Sequence, residues 1–159
     1  MSEPILKDRT VLLTGGAGGL GRAYARAFAE RGAKIALVDA GFDLAGRHPD
    51  PKVVHALAEE LSGEGHDVLA IASDVSTRAG AEEAMRLALE RFSRVDVLVT
   101  SAGALDDKSL LKLGDDEWNR VHDACLRATF LATQAFARHA VPRGEGGRIV
   151  HTIGLQGLQ

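Results

Sequence analysis

Five short runs of aliphatic and β-branched residues alternate with four stretches of helical periodicity. That alternation implies βαβ units and a parallel sheet, and it constrains the fold more than any other feature of the chain. The predicted strands are 10–14, 34–39, 67–73, 95–100 and 148–153. The predicted helices are 20–31, 52–61, 78–92 and 115–140. Gly32 closes the first helix, and the stretch 41–51, with Pro49 and Pro51, reads as a surface loop. Right-handed crossovers with one reversal give a doubly wound α/β sheet in the order 3-2-1-4-5. Ligands of such sheets bind beyond the carboxyl ends of the strands, where the order reverses. On the last helix, Trp118, Val121, Cys125, Ala128 and Ala132 recur at spacings of 3 or 4 and predict one packed face.

Glycine accounts for 18 of the 159 residues, more than the usual share of about 7%. Several cluster in the turn after the first strand, Thr14-Gly-Gly-Ala-Gly-Gly-Leu-Gly21. Gly16, Gly18 and Gly21 fit G-x-G-x-x-G; Thr14, Gly15, Gly19 and Gly21 fit T-G-x-x-x-G-x-G. Glycine is needed here for positive φ, for close backbone approach to a diphosphate and for tight packing of helix on strand. The helix N-terminus then favours the anion. A glycine pattern alone is weak, but this one follows a strand, opens a helix and has Asp39 at the end of the second strand, which is the setting the motif requires. A carboxylate there accepts hydrogen bonds from a ribose and repels a 2′-phosphate, and no cation stands at Gly16, Ala17 or Ala40. NAD is therefore expected over NADP, with a solvated strand-end Asp39 as the bland alternative.

These residues resemble the short-chain dehydrogenase/reductase family, a Rossmann fold, from about Leu6 to the last residue. Asp74-Val75 matches the family's adenine-contacting position, although a helix N-cap role competes for Asp74. Thr100-Ser-Ala-Gly103 stands where the family has Asn-Asn-Ala-Gly, so the bracing amides are lost. The resemblance implies a cofactor-binding set of Thr14, Gly15, Gly19, Leu20, Gly21, Asp39, Asp74, Val75, Thr100, Ala102 and Gly103. A narrower resemblance, to the (3R)-hydroxyacyl-CoA dehydrogenase part of multifunctional β-oxidation enzymes, rests on three segments: 19–33, the Gly41-Phe-Asp43 loop and 154–159. The resemblance implies an alcohol or ketone substrate such as a 3-hydroxyacyl thioester or a steroid-like alcohol.

The family's chemistry is hydride transfer assisted by Ser, Tyr, Lys and Asn, each acting on the reacting oxygen. Here the Ser position is Gly154, the Asn position is Cys125, and Tyr-x-x-x-Lys is not present. No catalytic residue is assigned. Tyr24 lies on the first helix as a packing residue. Cys125 reads as a small apolar residue on a core face. With His122 it is too little for a metal site, and no metal ligands are expected. His151 faces either the cofactor side or the sheet interior.

The net charge of −3, from 19 basic and 22 acidic residues, gives no footprint for nucleic acid or an anionic membrane. One cysteine excludes an internal disulfide. No stretch reads as a membrane span or signal peptide, so a cytoplasmic location is expected. The chain is read as a single NAD-binding domain, 1–159, incomplete at its C-terminal side. Strands 95–100 and 148–153 are apolar enough to need cover on both faces, so residues 1–159 alone are not expected to be a stable monomer. The resemblance implies a homo-oligomer through the helix 115–140. Three readings stand: an NAD-dependent oxidoreductase, a non-catalytic dinucleotide-binding relative, and an interaction subunit.

Overall fold

The structure is a computed structural model and describes residues 5–154. The residues Met1 to Pro4 and 155–159, including most of the loop 154–159, lie outside the described residues. Strands β1 (Thr10–Thr14), β2 (Lys34–Val38), β3 (Val68–Ile71), β4 (Val97–Thr100) and β5 (Arg148–His151) alternate with helices α1 (Gly19–Ala29), α2 (Lys52–Gly63), α3 (Arg78–Phe92), α4 (Asp115–His122) and α5 (Ala128–Arg143). All pairings are parallel, and the order is β3-β2-β1-β4-β5.

Alternation along each strand sends successive side chains to opposite faces. Leu12, Ala36, Val38 and Leu98 pack with α3 and α5. Val11, Leu13, Ile35, Leu37 and Val99 pack with α1 and α2. β1 is buried along its whole length, and β5 is exposed along its whole length. The described ladders are shorter than the sequence runs for local reasons. Before β4, Val95 N–H is directed to His139 at 3.3 Å and the Asp96 carboxylate accepts from Thr10 N–H at 3.0 Å. After β5, Thr152 N–H still reaches Thr100 O at 2.9 Å, but regular pairing has ended.

The predicted helix 115–140 needs correction. It is two α-helices joined by a π-helical turn at Asp123–Arg127, with Ala128 N–H bonded to Asp123 O. A π turn bonds i to i+5 and so breaks a 3.6-residue register. The predicted face therefore does not hold: Ala128 and Ala132 are buried, whereas Trp118 is 54% exposed and Cys125 is exposed. The inward positions from Leu131 onward are Leu131, Ala132, Ala135, Phe136 and Ala140. The helix also runs past Ala140, taking Pro142 into its last turn and ending at Gly144 with φ +71°.

Candidate functional site

A cavity of about 710 Å³ opens at the carboxyl ends of β1, β2, β3 and β4. Its floor is the glycine turn. Gly15 has φ +66°, and a Cβ on it would lie 2.5 Å from Ala102 N. A Cβ on Gly21 would lie 2.0 Å from Gly15 O, so the turn and α1 meet backbone to backbone. A Cβ on Gly19 would meet nothing within 4 Å, leaving open space on the cavity side.

The start of α1 is chemically unlike that of α3. Thr77 caps α3, its hydroxyl accepting from Gly80 N–H at 3.0 Å. No side chain caps α1, and its first turn carries no acid. The leading amides of a helix have no partner within the helix, so this end suits an anion from outside the chain.

Asp39 holds two loops at once. Its Oδ2 accepts from Ala17 N–H at 2.9 Å, and its Oδ1 accepts from Gly41 N–H at 2.7 Å. Each carboxylate oxygen keeps a further lone pair for a ligand. Arg22 Nε donates to Ala17 O at 2.9 Å, so the Ala17 peptide is gripped from both sides. No cation stands at Gly16, Ala17 or Ala40, but this one reaches the turn from within α1.

Of the expected cofactor residues, Gly15, Gly19, Asp39, Asp74, Val75, Ala102 and Gly103 line the cavity. Thr14, Gly21 and Thr100 do not line it: the threonines are 1% and 3% exposed, and Gly21 is buried. Leu20, 57% exposed, does not line it either. Asp74 does not cap α3; its Oδ1 accepts from Ser76 N–H at 2.9 Å while Thr77 takes the cap. Thr100 Oγ1 lies 2.9 Å from His151 Nδ1, a side-chain bridge between β4 and β5 at the position that lost the bracing amides. Cys125 does not sit in a core: its Sγ lies 3.5 Å from both N and O of Ala104. Among the described residues no cluster of His, Cys, Asp or Glu is arranged to hold a metal, and no helix is long and apolar enough to cross a membrane.

The far wall was not legible in the sequence. Phe42, Asp43, Leu44 and Gly46 line the cavity together with Asp116, Asn119, Arg120 and Asp123. Amides of Arg47 and Ala45 donate to the Asp43 carboxylate and hold it below the usual carboxylate range.

The pattern of the short chain dehydrogenase family matches residues 9–159. The chain belongs to the short-chain dehydrogenase family. It is 38% identical, over 99% of its length, to peroxisomal multifunctional enzyme type 2 of Mus musculus, and spans 21% of that protein. It is 31% identical, over 98% of its length, to 3beta-hydroxysteroid dehydrogenase 2 of Eggerthella lenta, and spans 57% of it. The crystal structure of a short chain dehydrogenase from Mycobacterium avium superposes with a TM-score of 0.87 at 29% identity, over 98% of this chain and 57% of that one. The chain thus spans between a fifth and three fifths of these relatives' lengths. The named relatives are dehydrogenases or carry names of multifunctional enzymes.

Proposed function

We propose that this chain forms the coenzyme-binding part of an NAD-dependent oxidoreductase that acts on an alcohol or ketone such as a 3-hydroxyacyl thioester. One observation carries the reading. The uncapped start of α1 opens onto a cavity floored by Gly15, Gly18 and Gly19, where a Cβ on Gly15 would collide with the Ala102 backbone. A diphosphate would be held by the amides around Gly18 and Gly19. The ribose would be held by Asp39, and the adenine by Asp74 and Val75. When bound, the nicotinamide ring supplies or accepts the hydride.

Electrostatics supports NAD over NADP. Asp39, Asp43, Asp74, Asp116 and Asp123 line the cavity, with Arg120 as the one cation among the lining residues. Its guanidinium is committed to Asp106 and Ala45 O. A 2′-phosphate would add charge beside Asp39, where the lining residues offer no free cation and Arg22, outside the lining, binds Ala17 O through Nε. The substrate class rests on the likeness to multifunctional enzymes. Residues 1–159 carry no Tyr-x-x-x-Lys, and Gly154 and Cys125 stand at the Ser and Asn positions. Alone they bind coenzyme without turnover. Gly154 also favours a second reading, a non-catalytic relative.

A second copy of this chain is the proposed partner. Trp118, Leu126 and Phe130 are 54%, 63% and 53% exposed along the α4–α5 face, with the His122 ring tilted against Trp118 at 4.4 Å between centroids. Relatives named peroxisomal leave the peroxisome open beside the expected cytoplasm, and imaging of a tagged full-length protein decides between them.

Calorimetry with NAD and NADP tests the coenzyme reading. Tighter binding of NAD, weakened about tenfold or more by Gly19→Ala with folding intact, supports it. A preference for NADP refutes it. Oxidation of 3-hydroxyacyl thioesters by the full-length protein tests the substrate class, and no turnover of any such thioester refutes it.

A further inference from the structure

We propose that Arg120 is a positioning residue that latches a strap, residues 41–50, across the coenzyme cavity; the proposal rests on the coenzyme reading above. The strap is a closed unit. Asp50 N–H donates to Gly41 O at 3.0 Å at its base, and a Cβ on Gly41 would lie 1.9 Å from Asp50 O. At its apex Asp43 N–H donates to Arg47 O at 2.8 Å, Gly46 N–H donates to Asp43 O at 2.8 Å, and the Asp43 carboxylate accepts from two amides.

Burial does not hold the apex in place. Leu44 is 81% exposed and Phe42 is 43% exposed. The apex is held by polar contacts with the opposite wall. Leu105 N–H donates to Leu44 O at 2.8 Å, and Arg120 Nε donates to Ala45 O at 2.7 Å. The other arm of Arg120 pairs with Asp106 at 3.2 Å, and that carboxylate is only 11% exposed. Gly46, at φ +71°, lies so close that a Cβ would sit 3.1 Å from both Ala104 Cβ and Arg120 Cγ.

The two ends of the strap therefore have separate anchors. Asp39 fixes the base through Gly41, and Arg120 fixes the apex. Phe42, Asp43, Leu44, Gly46 and Arg120 all line the cavity, so releasing the apex opens one of its walls. The hydrogen bonds from a charged guanidinium are the stronger part of the latch. Losing them raises the rate at which a dinucleotide leaves, without touching the glycine turn that binds it.

The test uses the full-length protein and two readouts. Amide exchange without ligand compares wild type with Arg120→Ala and Arg120→Lys. Exchange at 44–47 and Leu105 rises in Arg120→Ala, less in Arg120→Lys, while the strand amides keep their protection. Stopped-flow fluorescence then follows NADH release. Release is about tenfold faster in Arg120→Ala, the loss expected for one charged hydrogen bond, and methylguanidinium restores slow release. Asp106→Asn, which frees one arm only, falls between. Unchanged strap exchange in Arg120→Ala overturns the latch, as does unchanged NADH release from a strap that exchanges faster. A wild type that binds no dinucleotide overturns the coenzyme reading instead, and the exchange experiment still decides the latch. If Arg120→Ala does not fold, Arg120→Lys and Asp106→Asn carry both readouts.

Discussion

β1 and β5 are strands of one sheet, each with an aliphatic centre, yet their surroundings are opposite. Thr10-Val-Leu-Leu-Thr14 is buried at every position; Arg148-Ile-Val-His151 is exposed at every position. β1 has a strand on each side and helices over both faces. β5 pairs only with β4, and its Ile149 and Val150 remain 42% and 51% exposed. Composition makes a strand, whereas neighbours make a core. The sequence reading asked for cover on both strands 95–100 and 148–153; within the described residues β4 obtains it and β5 does not.

The largest expected effect tests this contrast directly. Leu13 is 0% exposed, so Leu13→Ala removes packed atoms and leaves a cavity, at a cost of roughly 3 kcal/mol or more. Val150→Ala should cost no more than about 0.5 kcal/mol, as at other exposed sites. Urea denaturation of both variants measures the difference. A Val150 cost near that of Leu13 would break the comparison, because it would mean that β5 is covered in solution.

The next effect concerns the amino end of the sheet. Asp96, 6% exposed, accepts from Thr10 N–H and from Arg94, and lies 3.7 Å from Arg143. It ties β1 to the start of β4. Asp96→Ala should cost about 2 kcal/mol, less than a fully buried pair because Arg94 is partly exposed. Burial alone would raise the carboxyl pKa. The Arg94 hydrogen bond and the Thr10 amide more than offset this and hold it below 3.8. The folded state therefore binds its proton less readily than the unfolded chain. The contribution is present above 3.8 and is lost as pH falls through the lower folded value. Acid titration of wild type against Asp96→Asn measures it, and coincident profiles would remove Asp96 from the account.

A third and smaller effect lies at the carboxyl end of β4, where it pairs with β5. Thr100→Val removes the bridge to His151 while keeping shape, and should cost about 1 kcal/mol. Thermal melts measure it. No loss would mean that β5 is held to β4 by the ladder alone.

What could be read from the sequence was local. The glycine turn, Asp39 and the strand order follow from short-range pattern, because spacing and turn chemistry act over a few residues. The latch was invisible because Arg120 reaches a backbone carbonyl 75 positions away, and a carbonyl has no letter of its own. The grip of Arg22 on Ala17 O was missed for the same reason. The exposed Trp118 and Cys125 were misread because a 3.6-residue period was carried straight through a π turn. Thr14, Gly21 and Thr100 match a binding motif yet lie beneath the cavity, so the motif mixes residues that support the site with residues that face it.

The smallest effect is a slope rather than a step, and it concerns the covered side of β4. His139 on α5 accepts from Val95 N–H through Nε2, and Arg143 Nη1 lies 2.7 Å from the same nitrogen. Both contacts need Nε2 unprotonated. Burial, then the Arg143 charge, with a smaller push from Arg94, holds the imidazole below 6.5, and Asp96 opposes them. The folded protein therefore takes up this proton less readily than the unfolded chain. Stability from His139 is present above 6.5 and declines as pH falls from there toward the folded value. His139→Gln keeps an acceptor that does not titrate, so its stability should vary less with pH below 6.5. Equal slopes in the two proteins would show that the join between α5 and β4 does not depend on this imidazole. The helix would then hold its face of β4 by packing alone.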